Sequence, residues 1–478
     1  MAAQDAPTDG ACCAACAVRE AEPAPSSRVT LPSLPVVPRA APRTLPVLET
    51  AAGRPRPAIA RGTDRRITFA GLLLAAAFLA AALLGLAHLG LGRTGLWIPL
   101  HLALAGGAST AVAAVLLFFS AALAAAAPAD ARLRGLAIGA VAGGALVVSI
   151  AVPTGAPSMA VLGGLAYVAG IGAVAVGALL PLRGAFGVRR PIVERAYGLA
   201  LAQVSIGVLL AIGMVAGVAP ITERWALLKP AHAWLNVFGF LSVVIAATLV
   251  HLAPTVVGGR IRPRRSGLVA VIGLVVGAPL IALGLALASD PVVRLGAATE
   301  IVGAGGLVAH AIRVQRERGR WTTDQPWHRL TAWSLLLAPG WLLVAAAVAA
   351  GRFLWLGADP AAWSMALIAA PLTLGFAGQV LVGSWSHLVP AIGPGDQGAH
   401  ARRREVLARW ATPRIVALNI GTLLASAGAV LAGVAPSVAL PLIGIGVVVA
   451  AGSLATSIAL LGGAARPGRT TPGVVQTI

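Results

Sequence analysis

From residue 67 to residue 462 the chain repeats one pattern: an apolar run of about 20 residues, long enough to cross the hydrocarbon of a bilayer as a helix, then a short polar break. The runs show no strict apolar/polar alternation, so helices are expected and strands are not. The predicted spans are 67–90, 97–126, 133–152, 158–182, 195–219, 231–253, 267–288, 292–314, 328–350, 361–390, 413–434 and 436–462. The expected fold class is therefore all-α, a polytopic helical membrane bundle of about twelve transmembrane helices. Residues 1–66, rich in Pro, Ala and Arg and without helical periodicity, read as a disordered extension, and residues 463–478 as a short tail. The longest polar break, GPGDQGAHARRREVLARWATPR, is too short for a soluble catalytic domain, so any chemistry is expected within the bundle.

Composition supports this reading. Hydrophobic residues make up 58% of the chain and charged residues 11%, with a mean hydropathy of +0.87, whereas soluble domains carry about 25% charged residues. The formal charge of +20 comes almost wholly from arginine, Lys229 being the sole lysine. A nucleic-acid protein would gather those arginines on one module; here they alternate between breaks. Arg132 with Arg134, Arg183 to Arg195, Arg260 to Arg265, Arg313 to Arg320 and Arg402 to Arg414 fall on one side. The opposite side has only Arg93, Arg224 with Lys229, Arg294 and Arg352. The positive-inside rule then predicts a multi-pass protein of the cell membrane with both termini cytoplasmic.

With this topology the histidines sort by depth. His88, His101 and His232 lie toward the outer face; His251, His310 and His387 lie toward the cytoplasm; His328 and His400 fall in or beside cytoplasmic breaks. His232 and His251 share one span but sit roughly 28 Å apart at 1.5 Å per residue, so they cannot share a ligand. Neutral imidazole is the commonest protein metal ligand and an axial ligand of haem iron. An ionisable residue inside a span points to function because its burial is costly. By that measure His101, His232, His251 and His387 are the candidate metal or haem ligands. His88, His328 and His400, near water, read as solvated and His310 as a cap at the end of its helix, with His88 and His310 kept beside Asn236 and Glu300 as supporting residues of the candidate site. Glu300, roughly 12 Å inside the eighth span, lies at a depth similar to Asn236. It is a candidate proton carrier or support for an outer metal site, with a protonated interhelical hydrogen bond as the plainer role. Gln203, Gln379 and Asn419 read as interhelical hydrogen-bonding groups.

Two internal echoes tie the candidates together. ATLVHLAPTVVGGR ending the sixth span matches GSWSHLVPAIGPGD ending the tenth, which puts His251 and His387 in one His-Leu-x-Pro context. LWIPLHLALAGGAS entering the second matches LLKPAHAWLNVFGF entering the sixth, which pairs His101 with His232. The echoes establish architectural equivalence, and proline ending both helices accounts for one of them without any ligand. Cys12, Cys13 and Cys16 form CCAAC, whose Cys-x-x-Cys can bind a soft metal or do redox chemistry but lacks a second half. Nucleotide-binding, nucleophile-elbow and zincin motifs are absent.

HAWLNVFGFLSVVIAATLVHLAPTVVG in the sixth span resembles the signature helix of the NnrS family of polytopic haem- and copper-containing proteins linked to nitric oxide metabolism. The same stretch, with WIPLHLALAGGAS, is similar to the membrane region that precedes cupredoxin domains in actinobacterial multicopper oxidases and copper nitrite reductases. A more distant likeness is to the catalytic subunit of haem-copper oxidases and nitric oxide reductases. There, histidines on the second and sixth spans serve the haem and the second metal, the positions of His101 and His232. This chain departs from that pattern, with no histidine pair in its seventh span and only His387 in its tenth. The resemblance implies haem and/or copper held by intramembrane histidines, in copper handling or the nitrogen-oxide response, and the departure from the oxidase pattern argues against a complete oxidase-type dinuclear centre and for a simpler site. Two alternatives stay open: a proton-coupled transporter using Glu300 and the histidines, and a membrane partner of a separate cupredoxin or copper oxidase.

Overall fold

The computed structural model of the protein describes residues 58–90, 92, 95–124, 126–183, 191–318 and 326–466. The CCAAC segment, most of the proposed extension and the end of the tail lie outside them. The described residues contain helices and no strand. Twelve of the helical segments are long and apolar enough to cross a membrane: Asp64–Gly90, Trp97–Leu123, Ala131–Ala151, Pro157–Pro181, Ile192–Val215, Trp225–Val256, Arg265–Ala286, Asp290–Arg316, Arg329–Leu356, Pro360–Ile392, Ala411–Leu431 and Pro436–Ala465, called spans 1 to 12 below. The protein is a multi-pass helical membrane bundle.

Boundaries moved where proline and charge misled the sequence reading. Span 6 starts at Trp225, ahead of the expected residue 231, with Lys229 and Pro230 inside its helix, where Pro230 gives up one backbone hydrogen bond without ending the span. The first helix begins at Ala58, inside the stretch assigned to the extension. The long polar break contains a helix, Gln397–Ala408, whose N-terminus is capped by Asp396 accepting from the Ala399 N–H at 2.8 Å. Nearly every residue of that helix is polar or small, so no apolar run announces it.

The twelve spans form three sets of four. Spans 3 and 4, 7 and 8, and 11 and 12 are the most extensively packed pairs, and each closes on glycines where a side chain would strike the partner backbone. A Cβ on Gly144 would lie 2.6 Å from the Gly163 carbonyl and the Tyr167 N; one on Gly303 would lie 2.6 Å from the Leu274 N; one on Gly421 would lie 2.5 Å from the Ala450 N. Without a hydrophobic drive between helices in lipid, such close approach is what holds the pairs together. Spans 2, 6 and 10, the second of each set, are the most buried.

Each of these inner spans also carries a π-helical stretch: Leu102–Ala108, Trp234–Ser242 and Ala370–Gly378. The wider turn loosens the carbonyl ladder, and hydroxyls supply donors there. Ser109 donates to Leu104 O at 3.0 Å, Ser242 to Phe238 O and Thr373 to Ala369 O at 2.6 Å. The π stretches of spans 6 and 10 sit at the same offset before His251 and His387, so the His-Leu-x-Pro echo extends over most of both spans.

Arginines tie one end of the bundle. Arg134, 1% exposed, pairs with Asp64 at 2.8 Å and donates to Thr68 Oγ1 at 3.2 Å, joining spans 1 and 3. Arg414 donates to Ser457 of span 12 and to the Leu407 and Arg409 carbonyls. Arg264 holds Glu317 at 2.5 Å, and this hydrogen bond keeps the Glu317 carboxyl below the usual carboxylate range.

Candidate functional site

At the arginine-poor end, His101 and His232 stand at the entrances to the π stretches of spans 2 and 6. His101 Nδ1 lies 2.9 Å from the Trp97 carbonyl, and the Trp97 ring stacks on the imidazole at 3.6 Å between centroids and 21° between planes. His232 Nδ1 lies 2.7 Å from the Gly207 carbonyl of span 5. A carbonyl oxygen can only accept, so in both rings Nδ1 carries the proton and Nε2 the lone pair. Neither Nε2 has a hydrogen-bond partner among the described residues. The two rings lie near enough to interact electrostatically.

Asn236, one turn past His232, donates from Nδ2 to the His232 carbonyl at 2.6 Å. Its 3.1 Å approach to His232 Nδ1 is a packing contact, since a protonated Nδ1 cannot accept. This arrangement requires glycine at 207: a Cβ there would sit 2.4 Å from Asn236 Nδ2. Gly207 thus supplies both the carbonyl that orients the imidazole and the space for its neighbour. Below the site Trp234, fully buried, stacks on Phe238 at 4.2 Å, meets Phe353 edgewise and Trp363 at a tilt, fixing the first turn of the π stretch.

His88 is exposed at the end of span 1, and no described contact brings it to the pair. In the register shared by spans 6 and 10, the counterpart of His232 is Ile368, so the third inner span offers no imidazole at this level. Among the described residues no group of three His, Cys, Asp or Glu side chains could enclose a metal ion. A three-ligand copper site does not fit the arrangement. Two imidazoles with Nδ1 bonded to carbonyls and Nε2 open do fit an iron or copper taking one or two nitrogen ligands, because ligating histidines commonly donate their other N–H to just such an acceptor.

Glu300 is wholly buried, and neither carboxylate oxygen completes a hydrogen bond among the described residues, although the Ala278 backbone lies near. It is wedged against span 7, where a Cβ on Gly277 would lie 2.6 Å from its Oε2. Two residues away Pro279 removes the N–H that would bond the Val275 carbonyl, and Gln203 of span 5 replaces it by donating from Nε2 at 3.2 Å. Gln203 thereby fills the interhelical role expected of it, as does Asn419, which accepts from Trp341 Nε1 at 2.7 Å. Gln379 is buried with neither amide atom paired among the described residues.

The arginine-rich end holds the other histidines. His387 meets His328 edge-on at 5.6 Å and 76°. His328 donates from Nε2 to the Val256 carbonyl at the end of span 6 and packs edgewise on Trp327, over which Arg404 lies at 4.9 Å. Sequence position beside a polar break suggested a solvated His328; the structure buries it to 1% exposure by folding the 326–328 turn back under span 6. Burial pushes the His328 imidazole below its ordinary range, against the opposing effect of the Val256 carbonyl. His251 is buried in span 6. His310, 1% exposed, has neither ring nitrogen hydrogen-bonded among the described residues; its backbone continues in helix to Arg316, so it does not form the helix end.

Comparisons with known proteins bear on this architecture. No protein-family model matches the chain, and no curated protein matches it. Among solved structures, a heme-copper terminal oxidase dimer determined by cryo-EM superposes with a TM-score of 0.57 at 12% identity, covering 85% of this chain and 84% of that chain. The likeness is one of fold: this chain shares the helical membrane architecture of a heme-copper terminal oxidase.

Proposed function

We propose that the protein is an NnrS-like membrane protein that holds haem or copper through Nε2 of His101 and His232, serving copper handling or the nitrogen-oxide response. The observation that carries this reading is the shared state of the two rings, each with Nδ1 given to a backbone carbonyl and Nε2 left as a lone pair. Bound there, the metal would supply redox chemistry or ligand binding. The chain's own residues do the positioning: Gly207 and Trp97 fix the tautomers, Asn236 tethers the His232 turn, and the Trp234 cluster keeps the floor apolar. The oxidase-like fold supports the reading, as does the resemblance of the sixth span. In this proposal the arginine-rich end is cytoplasmic and the site faces outward in the cell membrane. A separate cupredoxin or copper oxidase is the proposed partner, on the sequence resemblance alone.

Detergent-purified protein expressed with haem precursor and copper is expected to show a haem absorbance spectrum or copper near one equivalent per chain. Apoprotein with neither would end the proposal. The buried, unpaired Glu300 favours a second reading, a proton-coupled transporter. Uptake into proteoliposomes by metal-free protein, abolished in Glu300→Gln, would support it over the first.

A further inference from the structure

Toward the arginine-rich end, spans 2, 6 and 10 line a partly open cavity of about 160 Å³, with Leu72 of span 1 and Leu335 of span 9 adding to its wall. Its lining is almost entirely aliphatic, and includes Val112, Leu116, Ile245, Leu249 and Val380. This volume lies far beyond the 10–15 Å³ or so that a single water needs, and an aliphatic void of about 150 Å³ accepts a benzene ring. His101 and His232 do not line it.

The polar groups on the wall are few, and Thr248 and Thr255 are already engaged. Thr248 donates to the Val244 carbonyl at 2.7 Å and shares a 2.9 Å hydrogen bond with Tyr197. Thr255 donates to Leu252 O at 2.7 Å. Trp385 also reaches the wall, its indole N–H buried without a partner among the described residues. Ser384 and His387 differ from the threonines in a different way. They are three residues apart on span 10, hence on one helix face, both line the cavity, and neither has a hydrogen-bond partner among the described residues. Beside His387 stand the His328 ring edge and the charge of Arg404. An apolar chamber with two unused donors at one place and positive charge behind them is complementary to an apolar ring bearing an electronegative oxygen.

We propose that this cavity binds a lipophile of the quinone class. The ring lies between the aliphatic walls of spans 2 and 6, a ring carbonyl accepts from the His387 N–H and the Ser384 hydroxyl, and the hydrocarbon tail leaves past Phe119 and Leu388. His387 and His251 share the His-Leu-x-Pro scaffold of spans 10 and 6, and in span 10 that scaffold turns His387 into the cavity wall. Nothing in this assignment depends on the His101 and His232 site, and metal-free protein is expected to bind the ligand equally well.

The test uses the full-length protein in nanodiscs of a synthetic phosphatidylcholine, with decyl-substituted benzoquinone, decylbenzene and decanoate as separate probes. Binding is followed by equilibrium dialysis and its stoichiometry by native mass spectrometry. One benzoquinone per chain is expected, saturably, with decylbenzene about tenfold weaker or more for want of the carbonyl hydrogen bonds. His387→Leu should weaken benzoquinone binding about tenfold while leaving decylbenzene unchanged. Ser384→Ala, which removes one cavity-lining hydroxyl from a helix without adding bulk, should weaken it severalfold and serves as the check if His387→Leu does not fold. Absence of saturable binding would overturn the proposal, as would equal affinity for benzoquinone and decylbenzene. Undiminished binding in both variants would also overturn it, and preference for decanoate would reassign the cavity to a fatty acid.

Discussion

His232 owes its geometry to two residues whose importance lies in what they lack or leave open. Gly207 has no side chain, and its carbonyl is turned to Nδ1; Asn236 uses its amide on the His232 carbonyl, leaving the imidazole plane free. On the proposed function, Asn236→Leu should lower metal or haem affinity by about 10–100-fold, the usual cost of losing a supporting group. Its optical spectrum should shift while thermal stability changes little, which separates positioning from folding. His328 gives a prediction of opposite character. Its imidazole is depressed by burial, so the folded protein binds fewer protons there than the unfolded chain does. Its effect on stability is therefore absent above the ordinary imidazole range near 6.5 and becomes destabilising as pH falls through it. The thermal midpoint in detergent should fall between pH 8 and pH 5, and part of that fall should vanish in His328→Gln. The histidine ligand candidates were legible in the sequence because imidazole stands out in an aliphatic background. Gly207 and the burial of His328 were not, because a glycine among 57 carries no signal of its own and a turn's direction is set by packing.

At the scale of elements, the apolar runs announced the spans, and the breaks between them followed from arginine and proline. What the runs could not announce is which glycines close a helix pair and which merely face lipid. Span 8 holds both kinds. A Cβ at Gly303 would lie 2.6 Å from the Leu274 backbone N, whereas one at Gly305 would meet nothing within 4 Å. Gly303→Ala should destabilise the protein by about 1–3 kcal/mol as spans 7 and 8 are forced apart. Gly305→Ala should be neutral or stabilising by no more than about 1 kcal/mol through helix propensity. Thermal unfolding of the two variants side by side in one detergent measures the difference; equal midpoints would contradict the packing account. The π stretches were hidden for a related reason. Their apolar residues satisfy a helical period as well as α-helix does, and only Ser109, Ser242 and Thr373, each placed to bond a loosened carbonyl, hint at the wider turn.

At the scale of the whole molecule, three sets of four spans place spans 2, 6 and 10 at the centre, and this order explains the sequence echoes. His101 and His232 correspond because spans 2 and 6 are equivalent; Ile368 breaks the series in span 10. Likewise His251 and His387 correspond, and His387 lines the central cavity and meets the His328 ring. A sequence match therefore identified equivalent positions correctly, while their separate surroundings came from packing between distant spans. The likeness to a heme-copper terminal oxidase at 12% identity is one of fold, and a fold does not by itself fix the site it carries. The central claim is that the inner spans present His101 and His232, and not the histidines at the arginine-rich end, to one metal or haem. Its most direct measurement is the absorbance spectrum and metal content of purified wild-type protein beside His101→Ala, His232→Ala and His387→Ala, prepared identically. The account predicts a bound group in the wild type, lost or spectrally altered in the first two variants and unchanged in His387→Ala. A normal spectrum and metal content in His232→Ala would contradict it.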